Sequence, residues 1–144
     1  DLKPLAGMPL AELQLVGTQV KSIEPLRGAP LEGLWLNDTA VADLAPLTQS
    51  PLVSLTLHRA PVSDLSPLSG IKSLRRLHIA ETRVHDLTPL RGLSLERLIF
   101  TPSQIKTGLE VVRGMPSLQE LGTTLEGKIA PDGFWRLLDA GQLK

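Results

Sequence analysis

His58 and His78 are the side chains best suited to chemistry in this chain, because two imidazoles on neighbouring segments can share a metal ion. Their donor set is incomplete, however. The chain has no cysteine, and no Asp or Glu falls on the facing positions of the same two segments, so neither a metal nor any other cofactor is expected. A second candidate, Gly122 to Lys128, reads GTTLEGK and matches most of a phosphate-binding loop. There Ile129 replaces the metal-binding hydroxyl residue, and Pro131 interrupts the required helix. Asn37-Asp38-Thr39 forms a glycosylation sequon, but Thr39 is also a turn residue that recurs along the chain. Nucleophile elbows, HExxH pairs and convergent Ser, His and Asp sets are absent, so no enzyme active site is expected within these residues.

The elements that must position these side chains are copies of one another. The pattern LxxLxL begins at Leu10, Leu31, Leu52, Leu74, Leu95 and, in weakened form, Leu118, at intervals of 21, 21, 22, 21 and 23 residues. A Val or Ile follows each of the full copies, and most then run into a D-L-x-P-L segment. A period this short excludes ankyrin, tetratricopeptide and propeller units. The pattern resembles the leucine-rich repeat family over essentially the whole chain, in its short bacterial subclass, with Thr18, Thr39 and Thr82 where many relatives place Asn. That resemblance implies an α/β right-handed solenoid, or horseshoe, with a parallel β-sheet on the concave face, mostly 3-10 turns on the convex face and a short C-terminal capping helix.

Each position also has a physical reason of its own. Alternation sends Leu13 and Leu15 to one face of a strand and Glu12, Gln14 and Val16 to the other. The following turn leaves backbone groups unpaired, which the hydroxyls of Thr18, Thr39 and Thr82 can bond. Asp43, Asp64 and Asp86 can cap a short helical turn; in the second repeat Asp43 is expected to accept from the Ala45 amide. Pro25, Pro46, Pro67 and Pro89 limit the return segment to one tight 3-10 turn. A single repeat buries too little apolar surface to offset the entropy of ordering its chain, so the copies must stack.

One domain, 1–144, is expected: a partial repeat at 1–9, five repeats over 10–117, and a degenerate repeat with a C-terminal cap over 118–144. In that cap Asp132 is expected as N-cap, Phe134, Leu137 and Leu138 on one helical face, and Gly141 as the stop. No cover precedes Leu10, so an open N-terminal edge is expected, together with membership of something larger. Fifteen basic and fifteen acidic residues cancel, which disfavours nucleic acid and anionic membranes as partners. No stretch is long and apolar enough for membrane insertion, and no signal segment opens the chain. The compartment is left open.

With core and turns accounted for by packing, the outward side chains of successive strands are where recognition is expected. The middle column runs Gln14, Trp35, Thr56, His78, Ile99 and Gly122, a ladder of roughly 24 Å. Asn37, His58, Arg76 and Arg97 flank it, and Gln14, Trp35, Asn37, Thr56, His58, Arg76, His78, Arg97 and Ile99 form the candidate binding set. Trp35 has the composition of an interface anchor with histidines and arginines beside it; equally, it can lie flat on Gln14 and Thr56 and shield the sheet. The reading is a non-catalytic module that binds a protein or peptide ligand on the concave sheet. The alternative is a structural spacer that self-associates through the open N-terminal edge. The repeats and the closing GFWRLLDAG segment also look like those at the C-termini of large bacterial proteins, including serine/threonine kinases, which implies a signalling or scaffold role.

Overall fold

The computed structural model describes residues 1–143. Six three-residue strands, β1 (Glu12–Gln14), β2 (Gly33–Trp35), β3 (Ser54–Thr56), β4 (Arg76–His78), β5 (Arg97–Ile99) and β6 (Glu120–Gly122), form one parallel sheet in chain order. The register is uniform: Leu13, Leu34, Leu55, Leu77, Leu98 and Leu121 stand opposite one another from strand to strand. From Leu34 onward these leucines are 0–1% exposed and form the spine of the core. Leu13 is half-buried, because β1 has a neighbour on one side only.

Three of the strands, β1, β2 and β4, are followed by a turn closed through a hydroxyl. Thr18, Thr39 and Thr82 donate to the carbonyls of Leu15, Leu36 and Ile79 at 2.7–2.8 Å. On the opposite side the chain returns through single 3-10 turns at Lys3–Leu5, Glu24–Leu26, Ala45–Leu47, Ser66–Leu68 and Thr88–Leu90, each with proline in the middle. The amides of Ala45, Ser66 and Thr88 donate to Asp43, Asp64 and Asp86 at 2.8–2.9 Å. These aspartates sit one residue before the helical N-cap, so they close an Asx turn that feeds the 3-10 turn. Asp1 and Ser22 make the same bond in the first two turns, to Lys3 and Glu24.

The fifth repeat departs from this plan with a short helix, α1 (Leu109–Arg113). Gly108 opens it with φ 86° and packs so closely that a Cβ there would lie 2.4 Å from the Thr88 nitrogen, which leaves glycine as the only fit. The C-terminal cap is α2, Pro131–Asp139. Its N-cap is Ala130, not Asp132: Pro131, with φ preset and no amide to lose, takes the first helical position and moves the start upstream. Phe134 and Trp135 are the buried pair on α2, whereas Leu137 and Leu138 are half-buried. Phe134 packs on Phe100, and the Arg113 guanidinium covers the Trp135 ring at 4.7 Å while pairing with Asp139. Gly141, with φ 73°, ends α2 in a Schellman motif: its amide reaches Leu138 and that of Gln142 reaches Leu137. No helix among the described residues is long and apolar enough to cross a membrane.

Candidate binding surface

The concave face takes its columns from the strand register. One column aligns Glu12, Gly33, Ser54, Arg76, Arg97 and Glu120; the next aligns Gln14, Trp35, Thr56, His78, Ile99 and Gly122. Parallel strands pleat in phase, so residues of one column rise side by side. Between them the sheet holds a cleft of about 420 Å³, lined by Trp35, Asn37, Thr56, His58, Arg76, His78 and Arg97, with Glu81 and Thr123–Glu126 at its margin.

Trp35 lies back along its own strand. A Cβ on Gly33 would meet the ring atoms Cη2 and Cζ3 at 2.9 Å, so the indole rests over the glycine two residues back on its own strand. Gly33 is what allows a large aromatic to lie flat there, and one indole face is left toward the cleft because Trp35 remains half-buried. His58, in the turn after β3, and His78, at the end of β4, stand with their ring centroids 4.9 Å apart. His58 Nε2 meets Glu81 Oε2 at 2.5 Å. Burial first, then the neighbouring His58 and Arg97, pushes the His78 imidazole down to about 4, against the opposing pull of Glu126 and Glu81. His78 is therefore neutral at physiological pH. Among the described residues no three His, Cys, Asp or Glu side chains converge as a metal site.

Glu81 belongs to a column that the alternation rule does not reveal. Asp38, Arg59 and Glu81 occupy equivalent turn positions with φ 58°, 63° and 58°, where the first repeat has Gly17. A non-glycine residue in the left-handed region is uncommon, and here it aims charged side chains along the cleft rim. Arg59 forks onto Asp38 at 2.6 and 3.2 Å, and Glu81 holds His58. The partner of each lies in the adjacent repeat, so the rim is cross-linked along the solenoid.

The described structure has two distinct ends, and only one is folded over. After β6 the chain doubles back until Ile129 pairs antiparallel with Leu121. A Cβ on Gly122 would strike Thr124 O at 2.8 Å and Lys128 Cα at 2.9 Å, so this loop lies on the concave face itself. That removes two features from consideration. Ile99, expected as a binding residue, is only 1% exposed: it stands between His78 and the covered Gly122 and belongs to the packed floor. GTTLEGK is this covering loop, in which Lys128 bonds the Leu125 carbonyl and no helix follows directly. In exchange the loop brings Leu125, 42% exposed, to the cleft margin.

Solved structures that share the architecture include two internalins. An internalin (InlF) from Listeria monocytogenes superposes with a TM-score of 0.75 and 28% identity over 85% of this chain and 37% of that one. An internalin C2 (InlC2) from the same organism gives a TM-score of 0.72 and 21% identity over 78% of this chain and 51% of that one. The chain is a leucine-rich repeat solenoid. It spans about a third to a half of the length of these internalins. No protein-family model matches the leucine-rich repeat chain, and no curated protein does.

Of the remaining expected residues, Gln14 sits outside the cleft on the exposed first strand, while Trp35, Asn37, Thr56, His58, Arg76, His78 and Arg97 all line it. Thr124, an outward position of the sixth strand by the alternation rule, also lines the cleft, whereas Glu81 and the loop residues Thr123, Leu125 and Glu126 fall outside that rule. A signal for Glu81 lay in its place directly before Thr82, the position held by Gly17 and Asp38 in repeats with the same turn.

Proposed function

We propose that this leucine-rich repeat domain is a non-catalytic recognition module that binds a protein or peptide segment on its concave sheet. The observation that carries the reading is the cleft between Trp35 and Arg97, whose lining the solenoid does not need for packing. Repeat architectures present extended concave surfaces of this type, and the likeness to internalin structures supports protein interaction as the general role. We infer further that the domain serves a larger bacterial protein in signalling or scaffolding, in line with the resemblance of its repeats to C-terminal regions of such proteins.

The test is capture of partners from native extract with the wild-type chain and with a Trp35→Ser, Arg97→Ala double variant shown by circular dichroism to remain folded. A partner held by the wild type, lost with the variant, and protecting β2 to β5 from hydrogen exchange is the expected result. Equal retention by both chains would sink the concave-face reading.

A spacer that self-associates end to end is the second reading, favoured by the outer edge of β1 and by a slot between the first two convex returns, where Leu2, Ala6, Val20 and Pro25 stand among Asp1, Lys3, Lys21 and Glu24. Sedimentation that stays monomeric at high concentration would remove it.

A further inference from the structure

We propose that the cleft receives an acidic, extended segment of a partner protein, with Arg76 and Arg97 taking its carboxylates; this rests on the concave-face reading and adds the chemistry of the ligand. The two arginines are register partners across β4 and β5. Like charges directly opposed on neighbouring strands destabilise the pair unless something neutralises them. Five other arginines, Arg27, Arg59, Arg75, Arg91 and Arg113, each pair with a carboxylate, and the remaining two, Arg83 and Arg136, stand on no strand and so oppose no second arginine across the sheet. Among the described residues Arg76 and Arg97 pair with none. The acidic groups nearby do not fill the role. Glu81 is engaged by His58, Glu126 lines the margin, and Glu120 stands next to Arg97 in the column without closing an ion pair.

Two further observations select a peptide over a bare anion. Asn37 Oδ1, in the same cleft, is buried without a hydrogen-bond partner among the described residues. A buried acceptor left unpaired is costly, and a turn of the amide toward the cleft would bring it to a donor such as a backbone N–H, which sulfate lacks. The upper face of Trp35 offers an apolar platform between that acceptor and the arginines, suited to a side chain of the same segment. Neutral His78 adds a polar contact without adding charge, so the positive charge in the cleft is that of the arginine pair, with Glu81 and Glu126 elsewhere in the lining.

Selection of a displayed library of random linear peptides against the intact chain tests this. The selected sequences are expected to be rich in Asp and Glu, and to bind about tenfold or more weakly to an Arg76→Gln, Arg97→Gln variant. Their titration is expected to move the indole N–H resonance of Trp35 but not that of Trp135, which is sealed under Arg113. The same variant, relieved of like-charge opposition, is expected to unfold in urea no earlier than the wild type, so loss of binding will not reflect loss of fold. Peptides without acidic bias, abolished by Trp35→Ser yet indifferent to the arginine variant, would overturn the acidic ligand while leaving the concave-face reading standing. A single-stranded oligothymidylate that moves Trp35 where acidic peptides do not would overturn the peptide occupant. Failure of every probe to move Trp35 would overturn both readings.

Discussion

On the convex side of the solenoid, Asp43, Asp64 and Asp86 repeat one contact with a spread of 0.1 Å in bond length; across the core, the residues of any concave column share almost nothing but their direction. The difference lies in what each side must satisfy. Convex turns carry backbone amides that need an acceptor in every repeat, and only a short polar side chain at one spacing provides it. Concave side chains stand on a sheet whose backbone bonds are already made by the neighbouring strands, so the fold leaves their identity open. Variation on that face is therefore available to recognition, and the arginine pair, left without carboxylate partners among the described residues, is the part of it offered to a ligand.

The contrast between adjacent residues of β3 is where the two sides separate most sharply. Leu55→Ala, at a position 1% exposed, is expected to destabilise the chain by about 2 to 5 kcal/mol in urea unfolding, because a cavity in one layer is shared by the next. A comparable loss from Thr56→Ala, its concave neighbour, would erase the distinction between faces.

Protonation gives the next largest effect and arises on the concave side. His78 is held near 4 in the folded chain against an ordinary value of 6.5, so the unfolded chain binds more protons between those limits. Stability from this group is complete above pH 6.5 and is lost as pH falls toward 4. With allowance for solvent screening of a half-buried ring, the loss is on the order of 1 to 2 kcal/mol. His78→Gln is expected to flatten that part of the stability profile, and an NMR titration that finds His78 protonating near 6.5 would contradict it.

Smaller changes test the convex rule. Asp64→Ala removes the acceptor for the Ser66 amide and is expected to cost about 1 kcal/mol at neutral pH. The Ser66 hydrogen bonds hold the Asp64 carboxyl below the usual carboxylate range, so its contribution is present above the unfolded value near 4 and fades as pH falls through the lower folded one. Wild type and variant should therefore converge in acid. Ser50 tests the same rule from the other direction. Its amide makes the bond to Leu47 that Ala29, Ile71 and Leu93 make in their own repeats, but its hydroxyl is buried and unpaired among the described residues. Ser50→Ala is expected to raise stability by up to about 1 kcal/mol, as the shift of the urea midpoint would show.

The sequence by itself determined the repeat, the strand positions, the side of the sheet to which each residue points, the Thr and Asp turns, and the 3-10 returns. All of these are local: a two-residue alternation, a hydroxyl three residues from its carbonyl, an Asp two residues from its amide. Only the tertiary structure decided how the concave side chains meet. Trp35 lies on Gly33, His58 reaches Glu81 from the next repeat, and Ile99 is closed off by a loop that returns from β6. Even the start of α2 moved from Asp132 to Ala130, because Pro131 suits the first helical position better than a side-chain cap one residue later. Contacts between repeats depend on rotamers and on where a loop folds back, and neither is encoded in the spacing that builds the solenoid.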